Sequence, residues 1–226
     1  GEGGGGDGGG GEGGGEGGGE GGGKGEEVGS IGGVPAVRFL LGCLRAFDGE
    51  KDPRNLLSFL QLLRTLCARC EAVAAAGWSE AVGEVFDSLS YYFPISFTPP
   101  PGDSHGITRA HLLTSLIRTL RASPRFAPLA LPFLFEHLSA PPLTDAADEE
   151  DDADGAMQAL QALSLLAAEY GAPQLLHHAQ PLGASLRAQL AVLAASSTGR
   201  SGVAAASAAE RSARLAALSA AVRAMA

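Results

Sequence analysis

Behind Val34 the apolar positions return every three or four residues, and no segment alternates apolar and polar residues for long enough to form a half-buried strand. The pattern therefore predicts an all-α chain. A first helix spans about 35–47. Asp52 and Pro53 then supply a cap and a proline at the first helical position, and Leu56, Leu60, Leu63, Cys67 and Cys70 follow as one apolar stripe. A further helix runs from about Trp78 to Tyr92, with Ser79 as its expected N-cap. Pro94 and Pro99–Pro101 withhold backbone donors, so 90–107 reads as an irregular connector, kept ordered by Phe93, Ile95 and Phe97 as apolar anchors.

Thr108 restarts the pattern as an N-cap, with Ile107 and Leu112 as a hydrophobic staple and Leu113, Leu116, Ile117 and Leu120 on the buried face. Ser123–Pro124 repeats the cap-and-proline device and opens a helix carrying Phe126, Leu129, Phe133, Leu134 and Leu138, expected to pack antiparallel to its predecessor. Met157–Tyr170 and Pro173–Ala194 form the next pair, divided at Gly171. Residues 196–202 break the pattern, and an Ala-rich helix runs from about Ala204 to the end. First helices thus start near 53, 108, 155 and 204, a spacing of about fifty at the long end of the HEAT/armadillo range. The expected architecture is an α-solenoid of HEAT/armadillo-like antiparallel helix pairs over 34–226, with a single helical bundle as the rival. The helix at 35–47 is then the second member of a pair that begins upstream.

Composition changes this picture at two places. Of the first twenty-five residues nineteen are Gly, so 1–33 reads as a disordered low-complexity segment that cannot join a core. Residues 1–27 hold seven acids and one Lys, and 145–154 hold seven acids and no base. The net charge of −9 therefore leaves about +4 on the rest. The second acidic run reads as a solvated loop, 141–155, with a docking patch for basic partners as the lesser reading. No Lys/Arg stripe suited to phosphate backbones exists, which disfavours direct nucleic-acid binding. No run of eighteen apolar residues occurs, which argues against a membrane helix, and a secretory leader pattern is missing. Three Cys without an even framework suit a reducing compartment, cytosol or nucleus. The chain opens without Met and stops within an apolar pattern, as a fragment would.

Candidate chemistry is sparse. Gly18, Gly23 and Lys24 match the spacing of a phosphate loop, but Gly25 stands where Ser or Thr must bind magnesium, and no strand precedes them. Cys67-Ala-Arg-Cys70 lacks the second ligand pair of a structural zinc site, even with Cys43 added, and continues the Leu56–Leu63 stripe as core. His177 and His178 diverge on a helix, and His111 and His137 sit on different helices without a carboxylate pair. No nucleophile elbow is present, and paired acids at the spacing of a general acid and base occur only within the run Asp145–Asp154, so neither an enzyme nor a bound cofactor is expected. Arg118, Arg121 and Arg125, at a junction between helices, are the candidate partner-binding residues, at one edge of a concave face lined by the second helices of the pairs. Ordinary solvated charges are the plainer reading of all three.

Three stretches carry more than a class. Asp48-Gly-Glu-Lys-Asp-Pro-Arg-Asn-Leu56, the connector Tyr92-Phe-Pro-Ile-Ser-Phe-Thr-Pro-Pro-Pro-Gly-Asp-Ser-His-Gly-Ile107, and Ser123-Pro-Arg-Phe126 resemble, in order and spacing, the N-terminal region of the MMS-nineteen family. The likeness is specific over about 38–140 and weaker but collinear over 156–226. It departs in the Gly tract and in the long acidic loop. The resemblance implies a HEAT-repeat scaffold of the cytosolic iron–sulfur targeting complex, linked also to nucleotide excision repair and transcription. It implies an adaptor that carries no cluster itself, works in nucleus and cytoplasm, and meets a WD-repeat propeller, a small acidic-loop subunit and apo iron–sulfur client enzymes such as helicases and polymerases. It assigns no binding residue, because its motifs fall on a turn and a connector.

Overall fold

The structure, a computed structural model, describes residues 29–102, 105–139 and 148–198, together with Ala216, Ser219 and Arg223. It opens with a feature that the helical periodicity does not announce. Strands β1 (Ser30–Ile31) and β2 (Val34–Pro35) pair antiparallel, joined by Gly32 and Gly33 at φ 55° and 78°. Two successive left-handed residues make the hairpin turn whose twist matches paired strands, and glycine adopts it without strain. Arg69 donates to the Ser30 carbonyl at 3.0 Å and closes the hairpin onto the helices, so the boundary expected after 33 falls inside a folded element.

The helices follow as α1 (Ala36–Ala46), α2 (Pro53–Ala72), α3 (Trp78–Ser90), α4 (Arg109–Leu120), a 3₁₀ turn (Pro124–Phe126), α5 (Ala127–Ser139), α6 (Asp148–His177) and α7 (Ala179–Thr198). Asp52 caps α2 through the Arg54 amide. Thr108 caps α4 in a reciprocal box with His111, and Ser123 accepts from the Arg125 amide at the 3₁₀ turn. Ser79 is not a cap: Gly77, at φ 77°, makes the turn into α3, and Ser79 lies inside the helix.

The acidic run is a second correction. Expected as a loop, it is helical from Asp148 onward, and six of its seven acids occupy the opening turns of α6. Carboxylates are favoured there by the unpaired N–H groups and the positive end of the helix dipole. Gly171, at φ 76° and ψ 165°, interrupts α6 where the sequence places the division, while the connection to α7 falls at His178.

The helices lie in two layers. α2, α4 and α6 stack in one and α1, α3, α5 and α7 in the other, so the chain crosses between layers as it advances. This is the all-α, solenoid-like arrangement that the pattern predicts. One detail differs, since α4 packs chiefly on α2 and α5 chiefly on α6, rather than on each other as an isolated hairpin. Leu129 also faces out, and Leu131 takes the buried position on α5.

The core is continuous across both layers. Trp78 meets Phe126 edge to face at 5.9 Å, and Leu60, Leu63, Leu116, Leu131 and Leu134 are fully buried in the same core. Polar side chains then secure the helix ends, whose last carbonyls have no partner within the helix. Tyr170 donates to the Leu120 carbonyl at 3.0 Å, and Gln189 to the Leu138 carbonyl at 2.7 Å. Thr119 reaches the Leu60 carbonyl at 2.9 Å, tying α4 to α2.

The connector is ordered at its anchor points by a device beyond apolar burial. Ile95 is buried, and its N–H and C=O are both satisfied by the buried Gln158 side chain of α6, at 2.8 and 3.0 Å. Phe93 and Phe97 are only half-buried, so they supply less than the two full rings expected of them.

Candidate functional site

Two neighbouring surfaces hold the three candidate arginines, and the fold divides them. The first is a groove of about 530 Å³ between the outward faces of α2 and α4, bordered by Gln61, Arg64, Thr65, His111, Thr114 and Arg118. It adjoins a cleft of about 300 Å³ at the C-terminal end of α4, where Arg64 and Arg118 recur beside Arg121 and Glu169. The placement of core residues on α2 leaves Arg64 exposed, about 100° round the helix from the stripe formed by Leu63, Cys67 and Cys70. Arg118 is exposed by the same logic between buried Ile117 and Thr119.

Among the described residues, neither Arg64 nor Arg118 has an ion-pair or hydrogen-bonding partner. Arg121 does, gripping Glu169 of α6 with Nη2 at 2.6 Å and Nε at 3.1 Å. Among the described residues Glu169 is the single carboxylate bordering either cavity, and Arg121 pairs with it. The groove is left with two uncompensated guanidinium groups and a histidine on a polar floor.

Arg125 belongs elsewhere. Its Nε donates to Glu71 at 3.1 Å and its Nη1 to the Ser79 hydroxyl at 2.9 Å. Glu71 also accepts from the Trp78 indole at 2.8 Å and from the Ser123 hydroxyl at 2.7 Å. One carboxylate at the end of α2 thus collects the start of α3 and the 3₁₀ turn before α5. Burial pushes the Glu71 carboxyl up, but Ser123, Trp78 and Arg125 outweigh it and hold the group below its ordinary range. Sequence reading places Arg125 with its neighbours by proximity, whereas the signal that separates it is Glu71, an acid standing just before the turn into Trp78.

The remaining candidates add no chemistry. Cys67 and Cys70 are fully buried core thiols, pushed up in pKa chiefly by that burial, and Cys43 is half-exposed on α1. Among the described residues, no three His, Cys, Asp or Glu side chains converge to hold a metal ion. His111 serves as the partner in the α4 cap, and His137 packs against Phe133 and Phe93. Gly18, Gly23 and Lys24 and the expected break at 196–202 lie wholly or largely outside the described residues, as does most of the Ala-rich segment. Within that segment Ala216, Ser219 and Arg223 are helical. Among the described residues, no helix is long and apolar enough to cross a membrane.

Comparison with known proteins shows what the chain is similar to. The family described as "Dos2-interacting transcription regulator of RNA-Pol-II" matches residues 25–191. The human MMS19 nucleotide excision repair protein homolog is 36% identical over 165 residues, covering 73% of this chain and 14% of that protein. The Xenopus tropicalis homolog is 41% identical over 115 residues, 51% of this chain and 10% of that protein. The fission yeast DNA repair/transcription protein mms19 is 37% identical over 103 residues, 45% of this chain and 10% of that protein. The chain therefore spans about a seventh of the human relative's length. With three quarters of its residues inside that family match, from the hairpin through most of α7, the chain belongs to the MMS19 family and carries part of its N-terminal region.

Proposed function

We propose that this chain is the N-terminal part of a non-enzymatic adaptor that brings the cytosolic iron–sulfur assembly machinery to apoproteins of DNA metabolism. The observation that carries the reading is the collinear family match over an array of layered helices. Such an array offers an extended surface, rather than a closed pocket, and extended surfaces suit protein partners. The partners in this reading are a WD-repeat propeller, a small acidic-loop subunit and client helicases and polymerases that receive clusters as cargo. The setting is nucleus and cytoplasm, and the consequence of the activity is genome integrity. The Arg64–Arg118 groove is the surface in this piece best equipped to meet a partner, with Arg118 and Arg121 at its edge and Arg125 engaged with Glu71.

A second reading follows from the family description, which speaks of a regulator of RNA polymerase II transcription. In that case the same array serves a helical-repeat interaction scaffold without a part in cluster assembly. Affinity purification of the complete gene product separates the two. Recovery of the propeller, the small subunit and iron–sulfur enzymes is the expected result. Recovery of transcription factors alone would replace the first reading with the second.

A further inference from the structure

The open groove and the acidic Gly tract are complementary in charge, and the described chain that follows the tract begins beside the end of α2. Residues 1–27 hold Glu2, Asp7, Glu12, Glu16, Glu20, Glu26 and Glu27 against one Lys, a net charge of −6. The groove presents Arg64 and Arg118 without partners among the described residues, beside an Arg121 whose only carboxylate neighbour there is Glu169.

Position supports the pairing. The described chain begins at Gly29, next to Val73 at the end of α2, and Arg69 fixes the adjoining Ser30 carbonyl. Arg64 is about two and a half turns, roughly 14 Å, back from Val73 along the same helix. A Gly-rich chain of this length has a root-mean-square reach of about 30 Å. Tethering supplies an effective concentration on the order of millimolar, so weak individual ion pairs suffice to keep such a segment near the groove. Glycine between the acids adds no bulk, which lets a backbone lie along a shallow polar floor with a carboxylate every four to six residues as far as Glu26.

We infer that the acidic glycine tract of residues 1–27 covers the Arg64–Arg118–Arg121 groove of its own chain, as a tethered and salt-sensitive competitor for acidic partners. The inference concerns one chain alone and does not depend on the iron–sulfur reading.

A nitroxide at Gly14→Cys in a Cys43→Ser background tests it, since Cys67 and Cys70 are buried and escape labelling. Amide signals of Gln61, Thr65, Thr114 and Arg118 should broaden, while those of Gly83 and Glu84 on α3 should not. The broadening should fade at about 0.5 M salt, where the screening length is only a few ångströms, and in the R64E/R118E chain. Uniform broadening, none at all, or broadening unaffected by the double reversal would overturn the inference. A second arm replaces the seven tract acids by their amides, leaving the folded residues untouched. A hexaglutamate peptide should then bind the groove at least about threefold tighter than it binds the unaltered chain. Equal affinity for both chains would assign the groove to an acidic partner in trans and remove the tract from it.

Discussion

Arg118 and Arg125 stand seven residues apart around one chain turn, yet the fold gives them opposite work. Arg125 is drawn into a junction where one carboxylate, Glu71, gathers an indole from the start of α3 and a hydroxyl and a guanidinium from the 3₁₀ turn. Arg118 looks across a groove at Arg64 and pairs with no acid among the described residues, since the nearby Glu169 is taken by Arg121. The difference teaches that a charge is assigned to structure or to surface by what the opposite helix places within reach, and not by its neighbours in sequence. An arginine facing a half-buried acid with other hydrogen bonds to fill becomes part of the scaffold. One facing another arginine remains available, at the cost of a mild repulsion that a ligand can relieve.

The largest effect that would test the junction is loss of its ring. Trp78 is 2% exposed and packs on Phe126, so Trp78→Ala should lower stability by about 3–5 kcal/mol. Urea unfolding of the whole chain measures it, and a loss below about 1 kcal/mol would show that the junction is far softer than its packing indicates.

Gln158 marks a clamp of the same kind at the connector. Gln158→Leu keeps the volume but strands both backbone groups of Ile95 in a buried site, and should cost about 1–3 kcal/mol. Faster exchange of the Ile95 amide is the accompanying signature. An unchanged exchange rate would mean that Phe93 and Phe97 hold the connector without it.

These clamps explain how much was legible in the sequence. Caps and periodicity place α1, α2 and α4 within a residue or two, because Asp52–Pro53 and Thr108 act on their own first turns. The family motifs coincide with the Asp52 cap, the connector and the Ser123 turn, all local chemistry. What escaped depends on partners distant in the chain. Gln158 is an unremarked polar residue in an apolar face until Ile95 is brought against it, sixty-three residues away. The acidic run looked like a loop because its charge was read without a direction, whereas at a helix start the same carboxylates complement the dipole. The hairpin was hidden by glycine abundance, since only the backbone shows that Gly32 and Gly33 turn while Ser30 docks.

The junction also has a pH signature. Glu71 is held below its ordinary value, so it binds protons more readily in the unfolded chain than in the folded one. Its contribution is complete above the unfolded value of about 4.5 and disappears as pH falls from there through the depressed folded value. Glu71→Gln should therefore flatten the stability curve below about pH 4.5 as well as lower its plateau near neutrality. Parallel curves for the two chains across that window would place the acid sensitivity on other carboxylates.

The smallest effects bear most directly on the comparison. Arg125→Ala removes a partly exposed ion pair and a hydrogen bond to Ser79, and should cost about 0.5–1 kcal/mol. Arg118→Ala removes no ion pair or side-chain hydrogen bond with a described residue and should stay within about 0.5 kcal/mol of the unaltered chain. Binding should reverse that order. Hexaglutamate association, followed by the groove amides in a chain whose tract acids are neutralised, should weaken and lose salt dependence in Arg118→Ala but not in Arg125→Ala. If both substitutions weaken the peptide equally while Arg125→Ala leaves stability intact, Arg125 works at the surface after all, and the division between junction and groove does not hold.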